Sequence, residues 1–176
     1  MTATEHVILV DEDDNYLGTA EKMTAHRDGL CHRAFSVFIF RASYQGEILL
    51  QQRAADKYHS PGLWTNTCCS HPRPNEDIIT AGQRRLMEEM GIQTALTNIG
   101  RFHYIAPFDN GLTENEVDYV LAGTITQSDC QVNPAEVQAY RWISIPNLFI
   151  ELQQTPEKFT PWLAKALTVL TKNILT

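Results

Sequence analysis

The chain is short of positive charge: 14 Lys and Arg stand against 21 Asp and Glu in 176 residues, a net charge of −7. A surface that acidic argues against general binding to nucleic acid or to an anionic membrane. Long apolar runs are missing too. Stretches such as Val7-Ile8-Leu9-Val10 and Val37-Phe38-Ile39-Phe40 fall far short of the roughly 20 residues a spanning helix needs, so no transmembrane segment is expected. The opening MTATEHVILVDEDD has no basic stretch ahead of its apolar residues. It does not fit a secretory signal, and the protein is expected to stay in the cytoplasm. Cysteine is scarce: of the four, Cys68 and Cys69 adjoin, while Cys31 and Cys130 lie apart from them. Adjacent cysteines rarely meet bridge geometry, which excludes a disulfide framework and leaves free thiols for metal or catalytic roles. The 8 Pro and 9 Gly form no linker-like tract, and there is no internal repeat.

What is present suits one domain with a sizeable core, at 43% hydrophobic and 20% charged residues. Residues 7–10 and Tyr16 to Thr19 flank Asp13-Asp14-Asn15 and read as strand, turn, strand. Ala34 to Arg41 reads as a buried central strand, and Glu47 to Gln52 resumes after a turn at 42–46 as a hairpin partner. A helix is predicted after Pro74-Asn75, with Asn75 at the cap, Glu76 and Asp77 at its positive end and Gly91 as the stop. Ile78, Ile79, Gly82, Leu86 and Met90 give it one packing face. Phe102 to Ile105 and Val117 to Ile125 read as strands around Asp109-Asn110-Gly111, followed by a strand from Val137 to Ile143. A C-terminal helix is predicted with Thr160 as cap and Pro161 in its first turn. Strands and helices interleave without a regular βαβ repeat, which indicates a mixed α/β (α+β) domain.

The densest chemical signal is Thr65-Asn66-Thr67-Cys68-Cys69-Ser70-His71-Pro72. In an extended chain side chains alternate, so Cys69 and His71 share a face and Cys68 takes the other. The competing reading is a buried thiol beside a surface imidazole. Glu114-Asn115-Glu116 likewise sets two carboxylates on one face, where repulsion raises one pKa unless a cation lies between them. The alternative there is a solvated acidic turn. His26 and His32 lead into the central strand. With His71, Glu114 and Glu116 they would make a three-imidazole, two-carboxylate set suited to Mn²⁺, Fe²⁺ or Zn²⁺, five or six ligands favouring an octahedral ion. Arg85 and Glu89, four apart on the helix, are either an ion pair or a phosphate grip beside a Mg²⁺ carboxylate. Lys22, Arg53 and Lys57 are by themselves ordinary surface charges.

These pieces resemble the Nudix box, G-x5-E-x7-R-E-U-x-E-E-x-G-U with U aliphatic. Ser70 stands for the glycine, Glu76 for the first Glu, Arg84 for the Arg, and Glu88-Glu89 for the pair before Gly91-Ile92. Arg85 replaces a Glu that helps hydrolases of this superfamily hold metal at the scissile diphosphate, an exchange that should weaken hydrolysis and improve diphosphate binding. With TNTCCSHP and TENEV, that departure resembles the type 1 isopentenyl-diphosphate Δ-isomerases, with matches from Lys22 to Trp162, about four-fifths of the chain. The resemblance implies a Nudix-like mixed sheet sandwiched between helices, with extra N-terminal strands, in one domain over residues 1–176 and a core at about 30–164. It implies Cys69 and Glu116 as the catalytic pair with Tyr104 bonded to the Glu. It also implies His26, His32, His71, Glu114 and Glu116 around a tightly held divalent metal, Mn²⁺ first and Zn²⁺ or Fe²⁺ as alternatives. Glu89, with the Cys69 main chain nearby, matches the ligand of a Mg²⁺ that accompanies the substrate. Lys22, Arg53, Lys57 and Arg85 match diphosphate-binding cations, and Trp162 an aromatic wall. One spacing departs: five residues separate His26 from His32, where bacterial members often have six.

The implied reaction converts isopentenyl to dimethylallyl diphosphate by moving a proton across three carbons. Because the alkene has no acidic C–H, protonation comes first, to a tertiary carbocation shielded from water near a π-face. The expectation is that Glu116 delivers the forward proton and Cys69 takes or relays the other, with the reverse assignment open. Two rivals are a Nudix hydrolase, against which Arg85, Cys69 and Glu116 argue, and a non-catalytic diphosphate or metal-storage module, which would need no paired proton donors. The partner is a small molecule, with no nucleic acid and no membrane, and the protein a monomer or homodimer.

Overall fold

The structure, a computed structural model, describes residues 4–42, 46–127 and 129–174. It opens with β1 (His6–Val10) and β2 (Tyr16–Glu21), an antiparallel hairpin turned at Asp14, and continues into a short helix, α1 (Lys22–Asp28). Then come β3 (His32–Arg41), β4 (Glu47–Arg53), the two short strands β5 (Trp64–Thr65) and β6 (Cys68–Ser70), and α2 (Ile78–Met90). Strands β7 (Thr97–Pro107), β8 (Thr113–Ile125) and β9 (Val137–Ser144) precede α3 (Ile145–Gln154) and α4 (Leu163–Ile174). The tip of the predicted 42–46 turn, residues 43–45, lies outside the described residues.

Among the described residues nine strands form one mixed sheet centred on β3. Along its full length β3 pairs in parallel with β8, from His32 opposite Glu116 to Arg41 opposite Ile125. Its other side is shared by β1 at His32, β6 at Phe35 to Val37 and β4 at Phe40. A strand so enclosed must be apolar on both faces, as its Val, Ile and Phe content is. Phe35, Val37, Ile39, Leu49, Cys68 and Leu121 form one core with Leu86 and Met90 of α2. Phe38, Leu50 and Val120 form the second with Leu148 of α3 and Leu163, Leu167 and Leu170 of α4. Each such side chain withdrawn from water contributes about 1.5–3 kcal/mol, so the two faces bind the helices on either side of the sheet.

Two predicted caps fall elsewhere. Asp77, not Asn75, caps α2, its carboxylate accepting from the Ile79 and Thr80 amides. Asn75 instead takes the left-handed conformation, φ 67, that asparagine tolerates, and so turns the chain into the helix. Thr160 does not cap the last helix. Its hydroxyl meets Thr65 Oγ1 at 2.9 Å, and α4 starts at Leu163, beyond Pro161. Helices α1 and α3 are additional to the elements predicted from the sequence.

Candidate active site

The five residues of the predicted set come from three elements and one loop. His26 is on α1, His32 opens β3, His71 follows β6, and Glu114 and Glu116 are on β8. Their ligand atoms all lie within 4.8 Å of one another. Backbone carbonyls orient two of the rings: His26 Nδ1 lies 2.6 Å from Lys22 O and His32 Nδ1 2.8 Å from Leu30 O. A carbonyl can only accept, so each Nδ1 carries hydrogen and each ring turns its Nε2 inward. His26 Nε2 and Glu114 Oε2 are 3.4 Å apart, buried, and without a hydrogen-bond partner among the described residues. His71 Nε2 meets Glu116 Oε1 at 2.8 Å and His32 Nε2 at 3.2 Å. Buried lone pairs aimed at one another are costly unless a cation lies among them, and this donor set could hold a divalent metal. Between His26 and His32, Gly29 ends α1 at φ 65.

Burial, and next to it the charge of Glu116, push Glu114 up to about 8. Burial also opposes ionisation of Glu116, but hydrogen bonds from Glu114, His32 and His71 outweigh it and hold that carboxyl well below the usual range. Burial takes His71 down to about 3. His26 is buried as well, yet Glu114 raises it.

Cys69 is half-buried beside Tyr104 and Trp162, whereas Cys68 points into the core on the other face of the sheet. The residues before them make a rigid frame. Thr67 Oγ1 donates to Leu49 O (2.6 Å) and accepts from the Ile39 amide (2.9 Å), and Asn66 Nδ2 donates to Cys68 O (2.7 Å). Asn66 Oδ1 in turn accepts from Trp162 Nε1 at 3.1 Å, which fixes the indole. Tyr104 lies opposite Glu116 in the β7–β8 register and donates to its Oε2 at 2.6 Å. Burial pushes the Cys69 thiol up to about 12, against the pull of Arg53, whose Nη1 is 3.8 Å from the sulfur.

Lys22, Arg53, Lys57 and Arg85 line the same pocket as Cys69, Glu116 and Trp162, and Glu89 joins them from α2. Each cation has a partner. Lys22 Nζ lies 2.8 Å from Glu5 Oε2, Lys57 pairs with Glu136, and Arg85 pairs with Glu89 and reaches Glu88 at 2.8 Å and Glu136 at 3.5 Å. Glu89 is also held by Gln51 Nε2 at 2.8 Å. Arg84 binds Glu76 at 2.7 Å, joining the start of the box to its middle.

Three titratable side chains line the pocket besides the predicted ones: Tyr58, His59 and Asp118. Asp118 continues the Glu114, Glu116 alternation and is buried on Ser36 Oγ at 2.8 Å, and burial, followed by the Glu116 charge, lifts it well above the usual carboxylate range. Counting two further along β8 would have found it. Tyr58 and His59 lie in the loop after β4, where no period marks them.

The mixed sheet between helices, with this helix and box at its side, defines a Nudix domain, and the model of the NUDIX domain family matches residues 31–163. A Deinococcus radiodurans structure superposes with a TM-score of 0.76 at 17% identity, over 93% of this chain and 98% of that one. A protein named isopentenyl-diphosphate Delta-isomerase from Photobacterium profundum is 51% identical over 95% of this chain and 94% of its own. One of the same name from Pectobacterium atrosepticum is 49% identical over 92% and 88%. The chain belongs to the isopentenyl-diphosphate Delta-isomerase family of Nudix proteins.

Proposed function

We propose that this enzyme interconverts isopentenyl and dimethylallyl diphosphate by a protonation and deprotonation that shifts the double bond, supplying the electrophile for isoprenoid biosynthesis. The observation that carries the reading is one pocket lined by a thiol, a tyrosine-bonded carboxylate, an indole and four cations. A hydrolase needs a metal-held water at the diphosphate, and Arg85 stands where its metal-binding Glu would be.

In this reading Lys22, Arg53, Lys57 and Arg85 take the diphosphate, displacing the carboxylates of Glu5 and Glu136 that hold three of them. Trp162 faces the hydrocarbon, and the buried pocket shields the cation from water. The Cys69 thiol, pushed up to about 12, holds a proton to deliver, and Glu116, with Tyr104 on its Oε2 and its carboxyl held well below the usual range, takes the other; the opposite assignment, the one expected from the sequence, uses the same two groups and requires Glu116 to be protonated first. Weak acids can protonate an alkene only when it is held in line and desolvated, so the diphosphate grip contributes to rate as well as to affinity. His26, His32, His71, Glu114 and Glu116 would hold a tightly bound divalent ion, Mn²⁺ or else Zn²⁺ or Fe²⁺, and Glu89 with the Cys69 main chain a Mg²⁺ that arrives with the substrate. Such ions supply charge neutralisation among the carboxylates and at the diphosphate. We place the enzyme in the cytoplasm, as a monomer or homodimer of one domain over 1–176.

The test is product analysis with isopentenyl diphosphate and Mg²⁺. Dimethylallyl diphosphate is expected, and release of inorganic phosphate or diphosphate instead would overturn the proposal. Cys69→Ala and Glu116→Gln should each lower the rate by about 10²-fold or more, the range of general acid–base catalysis, while Cys68→Ala stays near the parent rate. Equal loss in all three would undo the assignment.

A further inference from the structure

His59 belongs to none of the sequence-predicted sets, yet its contacts reach each part of the site. The loop that carries it, between β4 and β5, is tied down on both sides of the ring. Asn110 Nδ2 donates to Tyr58 O at 2.8 Å, Arg53 Nη2 donates to His59 O at 3.2 Å, and the Gly62 amide donates to Arg53 O at 3.2 Å. The His59 side chain is 5% exposed. It stacks on Phe108, with centroids 5.2 Å apart and planes at 15°, and meets Trp162 edge-on at 5.9 Å. Its Nε2 lies 2.8 Å from Glu114 Oε1, and its Nδ1 makes no hydrogen bond among the described residues. Among the described residues the bond to Glu114 is therefore the ring's single polar anchor.

That bond decides what Glu114 can do. The last torsion of a glutamate is broad and roughly two-fold, so an unrestrained carboxylate turns either oxygen toward a neighbour. Here Oε1 is committed to His59, and Oε2 is the oxygen left facing His26 Nε2, 3.4 Å away and without a hydrogen-bond partner among the described residues. With a divalent ion bound, Glu114 is ionised and its oxygens can only accept, so His59 Nε2 then carries the hydrogen and its Nδ1 is bare.

We infer that His59 is a positioning residue: it donates Nε2–H to Glu114 Oε1, sets which oxygen of Glu114 faces the metal ligands, and ties that orientation to the Phe108 and Trp162 wall of the substrate pocket. The inference rests on the metal reading proposed above. Outer partners of ligating side chains change metal affinity by about 10–100-fold when removed.

The experiment is a Mn²⁺ titration of the purified metal-free protein, with free Mn²⁺ read by electron paramagnetic resonance and the spectrum of the bound ion recorded. His59→Phe keeps a ring to stack on Phe108 and removes the donor, and should weaken Mn²⁺ binding about tenfold or more and alter the bound-ion spectrum. His59→Gln places an amide donor where Nε2 stands and should remain within about threefold of the parent, whereas His59→Asn, which is too short, should behave as the Phe variant. Unchanged affinity in His59→Phe overturns the inference. If that variant does not fold, equal binding by the Gln and Asn variants overturns it in its place. A parent that binds no Mn²⁺ overturns the metal reading and this inference together, whereas a parent that binds it beside an indifferent His59→Phe overturns the inference alone.

Discussion

Glu114 and Glu116 stand two residues apart on one strand, yet their surroundings drive their protons in opposite directions. Glu116 is surrounded by donors and kept anionic, while Glu114, buried and facing that charge, is pushed up to about 8. A divalent ion bound by Glu114 must therefore displace a proton at any pH below about 8. Because the bound form excludes that proton, affinity falls as pH falls. Calorimetric Mn²⁺ titrations should show binding level above pH 8 and weakening by up to about tenfold per unit below it; equal affinity at pH 6 and 8 would contradict this. The same pair shows why part of the site was legible in the sequence. Strand alternation is local, so Glu114 with Glu116 and Cys69 with His71 could be assigned to shared faces from spacing alone. His59 could not, because a loop imposes no period and its partner Glu114 is far along the chain.

At the scale of elements, the signals that survived were those with a stereochemical cause. Gly91 ends α2 at φ 67, and a Cβ there would stand 2.7 Å from Gln131 O. Gly91→Ala should cost about 1–2 kcal/mol from the left-handed backbone alone, read as a lower urea midpoint with unchanged slope; an unchanged midpoint would refute the role given to this glycine. Helix α1 escaped because its seven residues bury only Ala25 and His26, too few apolar positions to set a period. Its ends were nonetheless marked, by Glu21 accepting from the Met23 and Thr24 amides and by Gly29. Helix α3 carried a readable start in Ser144 followed by Pro146, whose ring suits a first turn. The cap of α2 was misplaced by two residues because Asn75 and Asp77 are both good cap types, and only the turn geometry at Asn75 separates them.

For the whole molecule, the scarcity of cations acquires a location. Four of the 14 Lys and Arg line one pocket, beside the carboxylates of Glu89, Glu114 and Glu116. An acidic protein that gathers four cations and the carboxylates of a metal-ligand set in one cleft suits a single small anion held with metal rather than a polyanion. Topology makes this possible: the parallel pairing of β3 with β8 puts His32 opposite Glu116, and β6 sets Cys69 opposite Ser36 on the same central strand. No sequence pattern states that pairing, which is why the residue types could be named before their convergence was known. The central claim is that the pocket moves a proton across a five-carbon diphosphate without breaking its phosphate bonds. Nuclear magnetic resonance of the reaction with isopentenyl diphosphate and Mg²⁺ in deuterated water tests it most directly. Solvent deuterium built into intact dimethylallyl diphosphate is the predicted result, and recovery of undeuterated substrate, or of free phosphate, would contradict it.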